Sequence, residues 1–395
     1  MKKLWQMFFL SMCLFLIFFQ AGAVQAASLS GGAWRIVSSQ NPPGDDGLFA
    51  VAAISSNDVW AVGSAAQDSP KPLTLTEHFN GKQWSVIPSP NPGPGSDKLY
   101  GVAAVSTSDV WAVGYSYNSP LQTLILHYNG TQWSVIASPS PGAFNNQLLG
   151  VATVSANDVW AVGYAASNTT TASLIEHFNG SNWSVIASPK VKSSSYRLSA
   201  VTAVSSTNVV AVGSFNNQQG NVQALIEQWD GSHWKVVSGP NPGTSNSLSG
   251  VAAVSASNVW AVGDFTPQQG NTGTLVEHFD GNTWQVVSSP NRSALNYNSL
   301  VSVTALSSTN VWAVGQSGIS NGDDTQGNSF KTSAFPRTLI EHFDGSRWRI
   351  VGSPNSGTSD TLTGVSGVLG TSQAWAVGSY YNMVQPVLTL TEFYS

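Results

Sequence analysis

The chain repeats a phrase of six residues about every 50 residues, and this period limits the folds that it can adopt. The first copy is Asp58-Val59-Trp60-Ala61-Val62-Gly63. Its tryptophan position recurs at Trp111, Trp160, Val210, Trp260, Trp312 and Trp375. A second phrase follows every copy except the last: an apolar run, then Asn-Gly or Asp-Gly, then a tryptophan. The seventh copy ends without it, whereas an isolated Trp34 phrase at residues 31–37 precedes the first copy.

Each repeat predicts four short β-strands. In the second repeat these are residues 99–105, 109–114, 123–128 and 133–136, rich in β-branched and small residues and bounded by turn formers. The dipeptide Asn129-Gly130 tolerates the positive φ of a tight turn, so the third and fourth strands form a hairpin. The 3.6-residue apolar period of helical repeats does not occur. The fold class is therefore all-β.

A four-stranded sheet of this length has two apolar faces and must bury both against neighbouring sheets. The sequence thus predicts a seven-bladed β-propeller of four-stranded antiparallel blades. The ring would close where the N-terminal Trp34 strand pairs, as an outer strand, with the C-terminal strands, which also removes an open sheet edge. The innermost strands crowd near the axis, and their aligned positions are all small: Ala50, Gly101, Gly150, Ala200, Gly250, Ser302 and Gly364.

Residues 1–26 are predicted to be a signal peptide, because two lysines precede an apolar stretch and small residues at 23–27 suit cleavage. That stretch is shorter than the roughly 20 residues of a spanning helix, so we expect no membrane insertion after cleavage. The only cysteine, Cys13, lies within it. The remainder, residues 27–395, is predicted to be one propeller domain with an insertion at 316–337. We expect a monomer that is secreted, in the extracellular space or at the cell surface.

The net charge of −5 and the 9% of charged residues disfavour nucleic acid and anionic membranes as partners. Ser, Thr, Asn and Gly fill the predicted surface instead. This composition is common in exported β proteins that bind neutral polar partners.

A second strand ending in Val-Gly, a third strand leading into a turn, and a tryptophan opening the fourth strand resemble the kelch-type repeats of galactose-oxidase-like propellers. The resemblance covers residues 31–395 and implies the fold; such propellers serve as oxidases, lyases, adhesins and scaffolds. Two features depart from it. The second strand has a single glycine, as at Gly63, where kelch repeats have a doublet. The turn at 280–284 resembles the Asp-box of sialidase-like propellers but lacks its spacer, and we favour the kelch-like interpretation.

No catalytic motif stands out, and we expect neither a cofactor nor a metal site. Copper radical chemistry of the galactose-oxidase type needs a cysteine, which the predicted mature chain lacks. Acidic doublets at 45–46 and 323–324 have no recognisable calcium-loop spacing, so solvated loops are favoured over calcium sites. Five histidines and six glutamates recur at fixed positions of the third strands, and this repetition favours structural roles. The histidines are expected to hydrogen-bond within their own blades.

What varies between the repeats points to function. The variable segments connect the second strand to the third, or one repeat to the next, and in a propeller both emerge on one face. We predict that this face binds an extracellular protein or polysaccharide through Phe49, Tyr100, Tyr115, Tyr117, Phe215, Asp264, Phe265, Asp323, Asp324, Tyr380 and Tyr381. A solvent-exposed face with no specific ligand is one alternative. The other is a carbohydrate-active lyase or hydrolase at the mouth of the central channel, which would need non-repeated His, Tyr, Arg or carboxylate groups to converge there.

Overall fold

The computed structural model describes residues 32–293, 296–319, 334–384 and 386–395. Within these ranges every regular element is a β-strand, and the fold is all-β as predicted. The same residues include no helix that is long and apolar enough to cross a membrane. The predicted signal peptide, and Asp323 and Asp324 in the predicted insertion, lie outside the described residues.

The strands follow the sequence repeats. A short strand, β1 (Trp34–Ile36), comes first. Repeat 1 has β2 (Gly47–Ser55), β3 (Asp58–Ala65), β4 (Leu73–Phe79) and β5 (Trp84–Val86). Repeat 2 has β6 (Asp97–Ser106), β7 (Asp109–Tyr117), β8 (Leu121–Tyr128) and β9 (Trp133–Ile136). Repeat 3 has β10 (Asn145–Ser155), β11 (Asp158–Ala166), β12 (Thr171–Phe178) and β13 (Trp183–Val185). Repeat 4 has β14 (Tyr196–Ser205), β15 (Asn208–Asn216), β16 (Val222–Trp229) and β17 (Trp234–Val237).

The later repeats have the same order of strands. Repeat 5 has β18 (Ser245–Ser255), β19 (Asn258–Thr266), β20 (Gly273–Phe279) and β21 (Trp284–Val286). Repeat 6 has β22 (Asn296–Ser307), β23 (Asn310–Ile319), β24 (Ala334–Phe343) and β25 (Trp348–Val351). Repeat 7 has three strands of its own: β26 (Ser359–Gly367), β27 (Ala374–Tyr381) and β28 (Leu388–Tyr394).

Within each repeat, consecutive strands pair antiparallel in sequence order, and the described residues form six sheets. Five of the sheets have four strands. The remaining sheet has eight because repeats 2 and 3 are joined by one parallel residue pair, Leu121 with Asn145. Apart from that pair, each half has the same four-stranded pattern as the other sheets.

The two ends of the described chain belong to one sheet. Strand β1 pairs antiparallel with β28, so that Trp34 lies opposite Tyr394 and Ile36 opposite Glu392. Past the strand, the Asn41 side chain accepts a 2.7 Å hydrogen bond from the backbone N–H of Thr389. Repeats 1, 2, 4, 5 and 6 supply the same contact from residues that follow their own fourth strands, so residues 34–41 complete repeat 7. The predicted pairing of the N-terminal strand with the C-terminal strands is confirmed.

Close backbone contacts explain the small and glycine positions of the repeat. A Cβ atom added to Gly114 would lie 1.8 Å from the carbonyl oxygen of Lys98, so only glycine fits at the end of the Val-Gly phrase. First strands of successive repeats also touch. A Cβ on Gly150 would lie 3.0 Å from the Cα of Ala200, and one on Gly364 would lie 3.0 Å from the Cα of Ala50. The predicted crowding of the first strands is confirmed, and it extends from repeat 7 to repeat 1.

The core lies between repeats. Each of seven apolar clusters in the described chain draws its buried residues from two repeats that are consecutive, or from repeats 7 and 1. Tryptophans meet edge to face across these boundaries. Trp60 and Trp133 have ring centroids 5.3 Å apart, and Trp34 and Trp312 have centroids 5.4 Å apart. The repeated tryptophans thus pack between repeats, and large aromatic side chains suit this role because each buries much apolar area.

The strands extend further than the sequence pattern predicts. In repeat 2 the second strand continues past Gly114 to Tyr117, and the first begins at Asp97, where it pairs with Ser116. Residues predicted to lie in connections, such as Tyr115, are therefore held in strands. Backbone pairing causes the difference, because the ladder continues beyond the apolar residues that reveal a strand in the sequence.

Candidate functional site

Connections of two kinds lie at one end of the repeats. The antiparallel order places the second-to-third-strand connections and the connections between repeats at the same end, opposite the tight turns. Hydrogen bonds join the two kinds: Asp97 N–H donates to the Pro72 carbonyl at 3.0 Å, and Thr358 N–H donates to the Tyr381 carbonyl at 2.8 Å. We call this end the variable-loop face.

Buried Asp and Asn side chains stabilise the connections on this face. The carboxylate of Asp97 accepts a 3.1 Å hydrogen bond from Gly93 N–H, and Asn146 accepts one of 2.6 Å from Gly142 N–H. Asp360 accepts from Ser356 N–H at 2.9 Å. Because these side chains occupy one position of the first strand in most repeats, they serve the fold and not a ligand.

The repeated histidines also have structural roles. His78 Nε2 lies 2.8 Å from Asp58 Oδ1, and the imidazole stacks on Trp60 with ring centroids 4.5 Å apart. In repeat 5 the partner is Asn258, 2.9 Å from His278 Nε2, and burial lowers the pKa of His278. The prediction that each histidine hydrogen-bonds within its own repeat is confirmed.

The repeated glutamates are buried within the fold. All are fully buried: Glu77, Glu176, Glu227, Glu277, Glu341 and Glu392. Burial raises the pKa of Glu277 to about 8 and that of Glu227 to about 7. The value for Glu227 is lower because the Ser188 and Ser173 hydroxyls donate to its carboxylate at 3.1 Å and 3.4 Å.

Glu277 has no such donors. The aligned positions in repeat 4 are Ala224 and Gly239, and neither oxygen of Glu277 has a hydrogen-bond partner among the described residues. A Cβ atom added to Gly239 would lie 3.2 Å from Glu277 Oε2, so the two repeats are in direct contact there. These carboxyl groups therefore hold their protons near neutral pH.

Next to the residues that recur in every repeat are strand positions whose side chains vary between repeats. Every first strand has a buried leucine, and the residue after it differs from repeat to repeat: Phe49, Tyr100, Leu149, Ser199, Ser249, Val301 and Thr363. The residue after the second-strand glycine varies as well, and includes Tyr115 and Tyr164. From these positions and their neighbours we define an aromatic–basic cluster on repeats 1 to 4: Phe49, Lys98, Tyr100, Tyr115, Tyr164 and Arg197.

The members of this cluster are half-buried and close to one another. The rings of Phe49 and Tyr100 stack with centroids 5.4 Å apart and an interplanar angle of 21°. The ring centroids of Tyr100 and Tyr115 are 6.0 Å apart. Lys98 in β6 lies opposite Tyr115 in β7 in the strand register. The positive charge of Arg197 lowers the pKa of Tyr164, so these two side chains interact electrostatically. The structure thus brings together three predicted site residues: Phe49, Tyr100 and Tyr115.

Burial sets the protonation of the cluster. It raises the pKa of Tyr100, and the neighbouring hydroxyls of Tyr115 and Tyr164 raise it further. Burial raises the pKa of Tyr164 in spite of the opposing effect of Arg197. It lowers the pKa values of Lys98 and Arg197. The hydroxyls of Tyr100 and Tyr164 carry their protons at neutral pH, as an ordinary tyrosine does, and can donate hydrogen bonds.

The other predicted site residues lie elsewhere on the same face. Tyr117 and Tyr381 are 44% and 39% exposed at the ends of β7 and β27. Phe215, Phe265 and Tyr380 pack against the clusters between repeats. The face therefore does not gather all the predicted residues into one site.

Asp264 lies on repeat 5 at the position that corresponds to Tyr115. Its carboxylate accepts a 2.9 Å hydrogen bond from the Ser299 hydroxyl on repeat 6. Asp264 therefore links two repeats. Asp323 and Asp324 lie outside the described residues, and their proposed contact with a ligand stays a prediction.

Acidic residues at the start of repeat 1 do not form a metal centre. Asp46 is fully buried, and burial raises its pKa to about 6, with further increases from Asp45 and Asp68. One oxygen of Asp46 accepts a 3.0 Å hydrogen bond from Ala66 N–H. No group of His, Cys, Asp or Glu in the described ranges has the arrangement of a metal site.

A shallow cleft of about 210 Å³ lies beside Phe265 on the variable-loop face. Amide side chains line much of it: Gln269, Asn271, Asn291 and Asn298. A second cleft, of about 340 Å³, lies near Trp183 on the outer strands and contains no titratable side chain. We consider the aromatic–basic cluster the stronger candidate site because it combines half-buried cations with converging aromatic groups.

No family model matches the chain, and no curated protein matches it. Solved structures do resemble it. It is similar to "YCF48 bound to D1 peptide" with a TM-score of 0.53 and 15% identity, covering 93% of this chain and 98% of that chain. It is also similar to Sqt1 from Chaetomium thermophilum, with a TM-score of 0.51 and 12% identity over 88% and 83% of the two chains. The fold is a β-propeller. At these identities the similarity establishes the fold alone.

Sequence reasoning missed Lys98, Tyr164 and Arg197. Each lies on a first or second strand, next to residues that recur in every repeat, and none stands in a loop. The signal was present in the aligned repeats. At the position of Lys98 and Arg197 the other repeats have small or neutral side chains, such as Gly47 and Ser247.

Proposed function

We propose that the propeller is a ring of seven blades in which residues 34–41 complete the seventh. Three observations support this: the pairing of β1 with β28, the contact of Gly364 with Ala50, and the apolar cluster shared by repeats 7 and 1. The Val-Gly and Asn-Gly phrases also support a kelch-type repeat. An experimental structure with six or eight blades would contradict the proposal.

We also propose that the protein is exported and acts outside the cell. The lysines and apolar stretch of residues 1–26 support this, together with a surface poor in charge. Mass spectrometry of the protein from culture medium or cell envelope should find a mature N-terminus at Ala27. Intact Met1 on a cytosolic protein would contradict it.

The propeller, we infer, is a binding module that holds a segment of another protein on its variable-loop face. The observation that carries this proposal is the aromatic–basic cluster, whose side chains stand at positions where the fold itself accepts leucine, serine or valine. Partly exposed tyrosine and arginine side chains are frequent at protein interfaces. A solved propeller of similar structure is described as bound to a peptide, which makes a protein segment a reasonable ligand.

In the test, the chain without residues 1–26 is the immobilised target, and peptides that bind it are selected from a random decapeptide phage library. Because the predicted mature chain has no cysteine, single cysteines can carry a polyethylene glycol block. Tyr117→Cys places the block on the variable-loop face, and Asn282→Cys places it in a tight turn at the opposite end. Fluorescence anisotropy then measures the binding of each selected peptide in solution.

We expect the block at position 117 to abolish binding and the block at position 282 to leave it unchanged. The proposal fails if no selected peptide binds in solution. It also fails if the block at position 282 prevents binding while the block at position 117 does not.

A polysaccharide ligand is the second candidate, favoured by the amide-lined cleft beside Phe265. Amide groups both donate and accept hydrogen bonds, as sugar hydroxyls do. A soluble glycan panel measured against Phe265→Ser and the unchanged protein tests this candidate. A lyase or hydrolase at the mouth of the central channel is the remaining alternative, and product analysis of any bound glycan tests it.

A further inference from the structure

The charged side chains of the aromatic–basic cluster are hydrogen-bond donors only, and its tyrosine hydroxyls can donate as well as accept. Lys98 and Arg197 donate and cannot accept. The hydroxyls of Tyr100 and Tyr164 carry their protons at neutral pH, and burial raises their pKa values further above the usual 10. A ligand group that meets these side chains must therefore be rich in acceptors.

The burial of the two cations strengthens their effect on a ligand. Lys98 and Arg197 lie on the first strands of repeats 2 and 4, and both are half-buried. In such surroundings water screens a charge less than on an open surface, so an anion gains more from the same contact. The protein carries a net charge of −5, so this cationic patch stands out from the remaining surface.

The aromatic rings do not offer a free stacking platform. Phe49 and Tyr100 stack on each other at 5.4 Å, so each covers one face of its neighbour. The Tyr115 hydroxyl is turned towards the Ser96 hydroxyl, 3.3 Å away. A sugar ring, which needs an open aromatic face, fits this arrangement less well than a small planar anion. Carboxylates accept hydrogen bonds only and suit the fork of an arginine.

We propose that the aromatic–basic cluster binds a carboxylate of a peptide ligand, with Arg197 and Lys98 as the charged donors and the tyrosine hydroxyls as neutral ones. This inference rests on the proposed function and adds to it the chemical class of the ligand. The carboxylate can belong to an Asp or Glu side chain or to a peptide C-terminus. Both have the same acceptor oxygens.

The test uses two arrays of decapeptides with identical sequences, except that Asn and Gln replace Asp and Glu in the second. Half of each array has a free C-terminus and half has an amidated one. We expect loss of the recognised carboxylate, either by amidation or by the Asn and Gln replacements, to weaken binding on the order of tenfold or more, as suits one charged hydrogen-bonded contact. Loss on amidation alone identifies the terminus as the source, and loss on the Asn and Gln array identifies the side chain.

Two variants connect this preference to the cluster. Arg197→Gln and Lys98→Met should each remove most of the preference for carboxylates, whereas Arg347→Gln and Lys82→Met, in tight turns at the opposite end, should leave it unchanged. Circular dichroism and thermal melting confirm that each variant is folded. The cluster variants are expected to fold because other repeats have neutral side chains at this position, such as Gln147 and Ser247, and Arg197→Lys supplies a second variant that keeps the charge and should keep part of the preference.

Each result has a distinct meaning. Binding that is unaffected both by amidation and by the Asn and Gln replacements, or a carboxylate preference that persists in Arg197→Gln and Lys98→Met, overturns the carboxylate proposal and leaves the protein-binding function intact. If no peptide binds on either array, the proposed function itself fails. Tighter binding of a uronic acid polymer than of any acidic peptide overturns the assignment to a peptide.

Discussion

Replacing Glu277 with glutamine should remove a pH-dependent loss of stability. This carboxyl group is fully buried between repeats 4 and 5, and burial raises its pKa from 4.5 to about 8. Between those values the folded protein keeps a proton that the unfolded chain releases. The folded state binds more protons there, so the free energy of unfolding falls as the pH rises, and it falls until the pH passes the folded pKa.

The magnitude follows from the width of this window. One site contributes a slope of about 1.4 kcal/mol per pH unit, and the slope diminishes as the pH approaches the folded pKa of about 8, so the loss between pH 6 and pH 8 is about 2 kcal/mol. Glutamine has nearly the same size and carries no ionisable proton. From pH 6 to pH 8, Glu277→Gln should therefore gain about 2 kcal/mol of stability relative to the unchanged protein. Leu126 occupies the same position in repeat 2, so the fold accepts a neutral side chain there.

Urea denaturation at pH 6, 7 and 8, followed by tryptophan fluorescence, measures the difference between the two proteins. The comparison cancels the contributions of the other buried glutamates. Glu227→Gln is the matched control: the pKa of Glu227 is about 7, so its relative gain should level off about one pH unit earlier. Parallel pH dependences for Glu277→Gln and the unchanged protein would refute the reasoning.

Three further changes test the fold. Trp34→Ala should lower the free energy of unfolding by about 3–5 kcal/mol, because it removes a buried ring from the strand that joins the chain ends; an unchanged urea midpoint would contradict this. Gly114→Ala should prevent folding, because the added Cβ would lie 1.8 Å from a carbonyl oxygen. Gly352→Ala is the control: no atom outside its chain neighbours lies within 4 Å of the added Cβ, so its circular dichroism spectrum should match that of the unchanged protein. Asp158→Asn should change the thermal midpoint little, because asparagine has the same role in repeats 5 and 6, while Asp158→Ala should cost about 1 kcal/mol. Equal losses in the two Asp158 variants would contradict the proposed role of its hydrogen bond.

The repeated phrases were enough to predict much of the architecture. Strand β9 was predicted at its observed bounds, 133–136, because a turn and a tryptophan mark its start. The pairing of Trp34 with the C-terminal strand was predicted because the seventh repeat lacks the tryptophan phrase of its fourth strand and the Trp34 phrase has no repeat of its own. Strand ends were predicted less well, and β7 continues to Tyr117 because its backbone finds a partner there.

The candidate site was predicted only in part. Phe49, Tyr100 and Tyr115 were selected as aromatic residues that vary between repeats, and the structure brings them together. Lys98 and Arg197 were overlooked because each is one ordinary charged residue in a strand, and the sequence does not show which strands are neighbours at the axis.

The sequence by itself determined the class of fold, the number of repeats and the chain segment that completes the last repeat. These depend on local patterns, namely strand alternation, tight turns and glycines at close backbone contacts, and such patterns recur with the chain. Only the tertiary structure decided which side chains of different repeats meet and how deeply they are buried. Burial and proximity across repeats raise the pKa values of Glu277 and Tyr100, and both arise from packing between segments far apart in the sequence.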